Sequence, residues 1–342
     1  MPGFQEGNLW ATPVRDLGLS LQGTRLEPVV QEFHQELEQI GIRKLKPHCY
    51  LSTEWGVNFG TIGIGMPFYL AREDLIQFHA ERTGHLEGVS RRELLRYLRH
   101  EMGHVVNYAY KLYEQEEWVK VFGAITQPYV EEYHPEPFSQ RYVIHLPGWY
   151  AQKHPDEDWS ETFAVWMTPG YDWRAAYADW PVALAKLEYC AQTMQRLKDQ
   201  EPPVQTLDLA EDVSVLDYSL EQYYHQTWGE GGVADPVPPG LDGALQTIFE
   251  EYGTPEDTST AAPRLPAAAL IRRLEPELVA NVYRWTGHFP ERTRPLLRHL
   301  AERAEQLRQV YPADREARVV VALTTLVTAL AMNHVHRGTY MP

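Results

Sequence analysis

Apolar residues recur at helical spacing across "SRRELLRYLRHEMGHVV", where Leu94, Leu95, Leu98, Met102, Val105 and Val106 fall on one face. Ser90 suits the N-cap and Glu93 stands three residues later, the two halves of a capping box. No proline interrupts the segment, and Gly103 is its only internal glycine, so the spacing predicts one helix. A second amphipathic pattern, "RLEPVVQEFHQELEQIG" at 25–41, predicts a helix stopped by Gly41. "HCYLSTEWGV" and "GTIGIGMPFYLA" alternate or run apolar with β-branched and aromatic residues, which predicts strands. Residues 72–110 hold one or two helices, the second being the one described first. Residues 111–149 are aromatic and irregular, and helices are expected at 156–167 and 182–199.

Farther on, "EPPVQT" at 201–206 breaks the pattern, and "GEGGVADPVPPG" at 229–240 is the strongest linker-like stretch. Beyond it lie "LDGALQTIFEEYG", "LPAAALIRRLEPELVANVYRWTG" and "PERTRPLLRHLAERAEQLRQVY", amphipathic patterns that suggest a small helical bundle. A polar loop, "TPEDTSTAAP" at 254–263, falls among them. The last apolar run, "VVVALTTLVTALAM" at 319–332, is 14 residues long and includes three Thr, too short to span a bilayer. It reads as a buried core helix with Gly338 as its stop. The expected division is a mixed domain at 1–200, a linker region at 201–240 and an all-helical domain at 241–342.

Composition narrows the function classes. A chain of 342 residues with 44 % hydrophobic content can bury a substantial core in one large or two moderate domains. The formal net charge of −16 disfavours nucleic acid and anionic membrane as partners, because phosphates want a basic face. Only two cysteines occur, Cys49 and Cys190, which fits a reducing compartment without a disulfide framework. The N-terminal stretch lacks a basic-then-apolar signal pattern, so the expected location is cytoplasmic.

The chemistry lies in "HEMGH". On a helix, His100 and His104 lie one turn apart on one face and can aim two imidazoles at one ion. Glu101 is rotated about 100° from His100, so it flanks a metal instead of binding it. Hydrolysis needs such a set: zinc lowers the pKa of bound water toward about 7, and a neighbouring carboxylate takes the proton. Shuffling would yield the bare pattern about 0.05 times per chain, so context decides. A third protein ligand is required. The place three residues past His104 holds Asn107 and the place six past holds Tyr110, so no third histidine follows locally. The source is expected in "WYAQKHPDEDWSETFAVW" at 149–166, where Pro155 and three acidic residues mark a helix start. Glu157 and Glu161 share a face there. One can bind the metal, and the other can orient a liganding histidine from its far nitrogen. His145 and His154 flank Tyr150 and are further candidates for ligation or substrate contact. His334 and His336, two apart near a helix end, are explained by the helix dipole without a metal.

His100-Glu101-x-x-His104 followed by a helix with Glu-x-x-x-Glu resembles the gluzincin metallopeptidases. The pattern is similar to that of anthrax lethal factor-like peptidases, whose third-ligand helix aligns with "HPDEDWSETFA" at 154–164. Closer in wording is a bacterial group described as "putative zinc-binding metallopeptidases". The resemblance covers roughly 90–170 and departs where Asp158 and Trp159 replace two Phe and Thr162 follows Glu161. It implies one zinc per chain, held by His100, His104 and Glu157, with Glu161 orienting a liganding histidine. It also implies Glu101 as general base and Tyr150, seven residues before Glu157, as donor to the oxyanion. An alternative alignment puts Glu161 at the ligand position. Glu157 is preferred because it leaves a carboxylate one turn on and places Tyr150 correctly; Asp158 is a third option. The implied fold is α+β: a zincin-like metallopeptidase domain with a small mixed sheet and active-site helices, acting on a peptide or protein substrate. Zincin folds lay a sheet against the first metal helix and offer an edge strand to the substrate. Residues 61–71 are the candidate edge.

Overall fold

The capping box at Ser90 forms as its two residues demand: the Glu93 N–H donates to Ser90 Oγ at 3.2 Å, and the Ser90 N–H donates to Glu93 Oε2 at 3.2 Å. The computed structural model describes residues 9–83, 86–129, 133, 135–136, 138–228, 240–251 and 263–340. From the box the chain runs as one helix through Arg91–Ala109, burying the predicted face on Leu94, Leu98, Met102, Val105 and Val106. Two compact units emerge. The first gathers residues 1–82 and 86–229, and the second takes in residues 83–85 and 230–342.

In the first unit the described helices of seven residues or more are α1 (Glu27–Gln39), α2 (Glu73–Thr83), α3 (Arg91–Ala109), α4 (Glu116–Phe122), α5 (Pro155–Met167), α6 (Pro181–Leu197) and α7 (Leu220–Trp228). Strand β1 (His48–Ser52) pairs in parallel with β2 (Gly63–Pro67), and Gly56 bridges antiparallel to Gly65, so a very small mixed sheet results. Its Ile64 and Met66 join the core formed by Phe33 and Leu37 of α1 and Leu98 and Met102 of α3. The α1–α3 contact is locked by a buried fork: Arg99 Nε and Nη2 donate to the two oxygens of Glu36 at 2.8 and 2.6 Å.

The expected open edge at 61–71 is not there. All of β2 is buried, the N–H and C=O of Gly65 are taken by Gly56, and residues 68–71 wind into a 3₁₀ turn. A side chain at Gly63 would meet Leu209 and Tyr50, so the chain from the 200s closes this flank. The expected linker is likewise corrected over its first part. Val213, Leu216, Leu220, Tyr223 and Tyr224 enter the first core, because this apolar spacing outweighs the Pro-rich, polar start at 201–206. Its backbone clasps the beginning of the described chain: Val14 N–H donates to Tyr218 O and Arg15 N–H to Leu216 O, each at 3.0 Å, beside an antiparallel bridge from Pro13 to Ser219. Residues 229–239 of the linker-like stretch lie outside the described residues.

The second unit has α8 (Asp242–Ile248), α9 (Ala267–Thr286), α10 (Pro290–Gln306) and α11 (Glu316–Arg337) around Leu245, Ile271, Leu300, Leu323 and Val327. It is not all-helical as expected. Strand β3 (Glu250–Glu251), β4 (Arg264–Pro266) and β5 (Gln309–Pro312) form an antiparallel sheet with β5 in the middle, placed by the buried Val310 and Tyr311. The expected polar loop at 254–263 is described only at its last residue. Helix α11 extends beyond the apolar run that predicted it and, by length and composition alone, could cross a membrane. One stripe of it, including Leu323, Val327 and Leu330, is buried in this unit's core. The protein is thus mostly helical with small sheets, an α+β arrangement.

Candidate metal centre

Helices α3 and α5 cross with their backbones close. Gly103 makes this possible, since a Cβ there would stand 2.6 Å from Ser160 Cα. Trp159 Nε1–H donates to the Gly103 carbonyl at 2.8 Å and fixes the crossing. The start of α5 is set by Pro155 in its first turn and by His154 at the N-cap, whose Nδ1 accepts from the Asp156 N–H at 3.2 Å. This arrangement turns Asp156, Glu157 and Glu161 toward the two histidines of α3. His100 Nε2 lies 3.0 Å from Glu157 Oε2, and His104 Nε2 lies 3.3 Å from the same oxygen. Donor atoms of His100, His104 and Glu157 all fall within 4.8 Å of one another.

Each ring is held from behind. His100 Nδ1 is 2.8 Å from Glu161 Oε1, and His104 Nδ1 is 3.0 Å from Asp156 Oδ2. Such carboxylates fix the tautomer that leaves Nε2 free for an ion. Both are themselves secured. Glu161 Oε2 accepts the N–H groups of His145 and Leu146 at 2.6 and 2.8 Å. Asp156 accepts from Asn107 Nδ2 at 2.6 Å and from the Tyr108 hydroxyl.

The donor set fits a divalent cation. Four buried carboxyl groups, Glu101, Asp156, Glu157 and Glu161, surround two imidazoles, and so much buried negative charge needs a compensating cation. Without an ion, protons must supply it. Burial opposes charge on His100, but Glu157 and Glu161 outweigh it and raise its pKa to about 9. Burial likewise opposes charge on His104, and Asp156 and Glu157 hold it well above the usual imidazole value. Glu157 stays well below the carboxylate range because the two imidazoles overcome the effect of its burial. Two imidazole nitrogens and a carboxylate oxygen with oriented rings are a borderline-soft set of the kind zinc takes.

The cluster lies in a cleft of about 490 Å³ lined by Trp55, Val57, Phe59, Tyr108, Tyr129 and Tyr150 together with the charged groups. Glu101 lines it too, outside the three-donor cluster, and its burial raises the carboxyl pKa. Trp149 has positive φ (55°) and starts a 3₁₀ turn that brings the Tyr150 ring to 5.5 Å from the His100 ring. Burial and the nearby Glu157 raise the Tyr150 phenol well above its ordinary value, so it remains a proton donor.

Residues 71–223 match the family model described as "Putative zinc-binding metallo-peptidase". All of the cluster lies inside this match, which is longer than the 90–170 stretch of the sequence resemblance. No curated protein and no solved structure matches the chain.

Within residues 71–223 the other sequence candidates fall elsewhere. Asp158 turns away to Lys186, with Nζ at 2.6 Å from Oδ2, and burial pushes it up to about 7 even so. His145 donates Nε2–H to the Arg96 carbonyl at 2.9 Å, and His154 gives its Nε2–H to Gln127 O at 3.1 Å. Neither imidazole joins the ligand cluster. Glu161 has both oxygens engaged, one by His100 and the other by backbone. Sequence reasoning missed Asp156, Asn107, Tyr108 and Tyr129. Asn107 and Tyr108 carried a signal, lying three and four residues past His104 on its own helical face.

Proposed function

We propose that the first unit is a zinc-dependent metallopeptidase of the gluzincin kind, hydrolysing a peptide bond in a peptide or protein substrate. The observation that carries this reading is the convergence of both histidine Nε2 atoms on Glu157 Oε2 in a cleft that Glu101 also lines. His100, His104 and Glu157 would hold the ion. When bound, zinc supplies Lewis acidity toward the carbonyl and a water of lowered pKa. Glu101, its basicity raised by burial, takes the water proton and delivers it to the departing amine. Tyr150 donates to the developing oxyanion. Glu161 and Asp156 hold the rings of His100 and His104 in register. The resemblance to lethal factor-like peptidases and the zincin-like fold it implies belong to this same reading.

Metal analysis and the Glu101→Gln variant test it. The purified protein should carry about one zinc per chain, and Glu101→Gln should keep the metal while hydrolysis of a peptide library falls by several orders of magnitude. Absence of bound metal would overturn the reading in favour of a non-catalytic binding protein. Loss of metal from Glu101→Gln would make Glu101 a ligand.

A further inference from the structure

Glu157 has two oxygens, and the structure gives them different neighbours. Oε2 faces both histidine Nε2 atoms at 3.0 and 3.3 Å. Oε1 accepts a hydrogen bond from the Tyr129 hydroxyl at 2.8 Å. That hydroxyl also stands 3.3 Å from the Tyr150 hydroxyl, and Lys153 Nζ lies over both rings, 4.4 Å from the centre of Tyr129 and 5.4 Å from that of Tyr150. Tyr129 comes from the irregular stretch before α5, apart from the two helices that carry the ligand cluster.

A carboxylate can bind an ion through one oxygen or through both. With both, it uses two coordination positions, and the place for water is lost or crowded. A catalytic zinc needs that place open. An O–H donor on one oxygen draws charge to it and makes it a poorer ligand, leaving the other oxygen to the ion.

We propose that Tyr129 is a positioning residue that makes Glu157 a one-oxygen ligand, keeping a coordination position open beside Tyr150. This rests on the reading of His100, His104 and Glu157 as the metal site. Tyr129 acts on the ligand, and through the contact of the two hydroxyls it also sets where the Tyr150 donor points. Tyr129 is 47 % exposed, so Tyr129→Phe removes one hydroxyl without opening a core cavity.

Cobalt(II) in place of zinc reads the coordination number directly, because its visible bands are strong in four-coordinate tetrahedral sites and weaken several-fold when a fifth ligand enters. The full-length protein loaded with one cobalt should absorb strongly. Tyr129→Phe should bind one cobalt with several-fold weaker visible absorption per ion, and its metal affinity should fall by about 10-fold, the lower end for loss of an outer partner. A weak five-coordinate spectrum from the parent protein would overturn the proposal without any variant. So would a Tyr129→Phe spectrum identical to the parent's. If the parent bound no cobalt or zinc at all, the metal-site reading itself would fail, an outcome distinct from the other two.

Discussion

Gly103→Ala tests the helix crossing on which the metal centre depends. A Cβ at Gly103 would stand 2.6 Å from Ser160 Cα, 2.9 Å from Ser160 Oγ and 3.0 Å from Ser160 Cβ. Carbon atoms in ordinary contact are about 3.5–4.0 Å apart, so α3 and α5 must separate by about 1 Å. Two effects then compete. Alanine improves the helix interior by about 0.8–1.0 kcal/mol. Overpacking costs about 1–3 kcal/mol. The metal-free protein should therefore lose between nothing and about 2 kcal/mol. Metal affinity suffers more clearly, because α3 brings both nitrogens and α5 the oxygen. Ligand distances tolerate only about 0.2 Å, so binding must force the helices back together against the overpacking. Strain beyond what the relaxed metal-free protein already carries, taken as about 1–3 kcal/mol more, enters the binding equilibrium as a loss of roughly 5- to 150-fold. Competition against a chromogenic chelator measures the affinity, and urea unfolding with and without zinc measures the stability. Adding Ser160→Gly should give little relief, since the nearest atom is backbone. Unchanged affinity together with about 1 kcal/mol of added stability would refute the argument.

The remaining predictions address single groups. Glu157→Ala should abolish tight zinc binding, whereas Glu161→Ala and Asp156→Ala should each weaken it by about 10- to 100-fold, measured by the same competition; a weaker effect at Glu157 than at Glu161 would move the ligand role. Tyr150→Phe should keep zinc and fold while turnover falls by about 10²- to 10³-fold, and turnover within a few-fold of the parent would leave its hydroxyl without a role. In the second unit, burial lowers His288 from 6.5 to about 3, and its ring nitrogens meet Thr293 Oγ1 and the Tyr340 hydroxyl at 2.7 and 3.0 Å. The unfolded chain protonates this histidine first, so the stability of the neutral ring is complete above pH 6.5 and is lost as pH falls toward about 3. The loss should reach about 2 kcal/mol at pH 5, seen as a calorimetric shift that His288→Gln reduces; equal pH dependence in the two proteins would contradict a buried neutral imidazole.

What was legible in the sequence was mostly local. The capping box of Ser90 and Glu93, the face shared by His100 and His104, and the helix start at Pro155 all depend on residues within one or two turns of each other. The sequence left the ligand between Glu157 and Glu161 to alignment. In the structure the backbone N–H groups of His145 and Leu146 occupy one oxygen of Glu161, a difference in surroundings that no spacing on α5 reveals. Asp156 read as a dipole residue because its partner His104 is 52 residues away and meets it only at the helix crossing. Residues 213–224 read as linker because the Pro-rich, polar segment before them masked their apolar spacing. The three-stranded sheet escaped because its strands are two to four residues long and pair across distant sequence.

The clasp between residues 12–15 and 216–220 has a consequence for synthesis. Chains emerge from the ribosome N-terminal end first, at about 5–20 residues per second. Every residue of the proposed metal centre, from His100 to Glu161, is made well before Leu216, Tyr218 and Ser219 exist to close the unit. For several seconds the nascent chain therefore presents its histidines and carboxylates on an unsealed core. Zinc supplied during translation can thus meet its ligands earlier than zinc supplied to the finished protein, and the time of metal encounter becomes a variable in how much loaded protein a cell obtains.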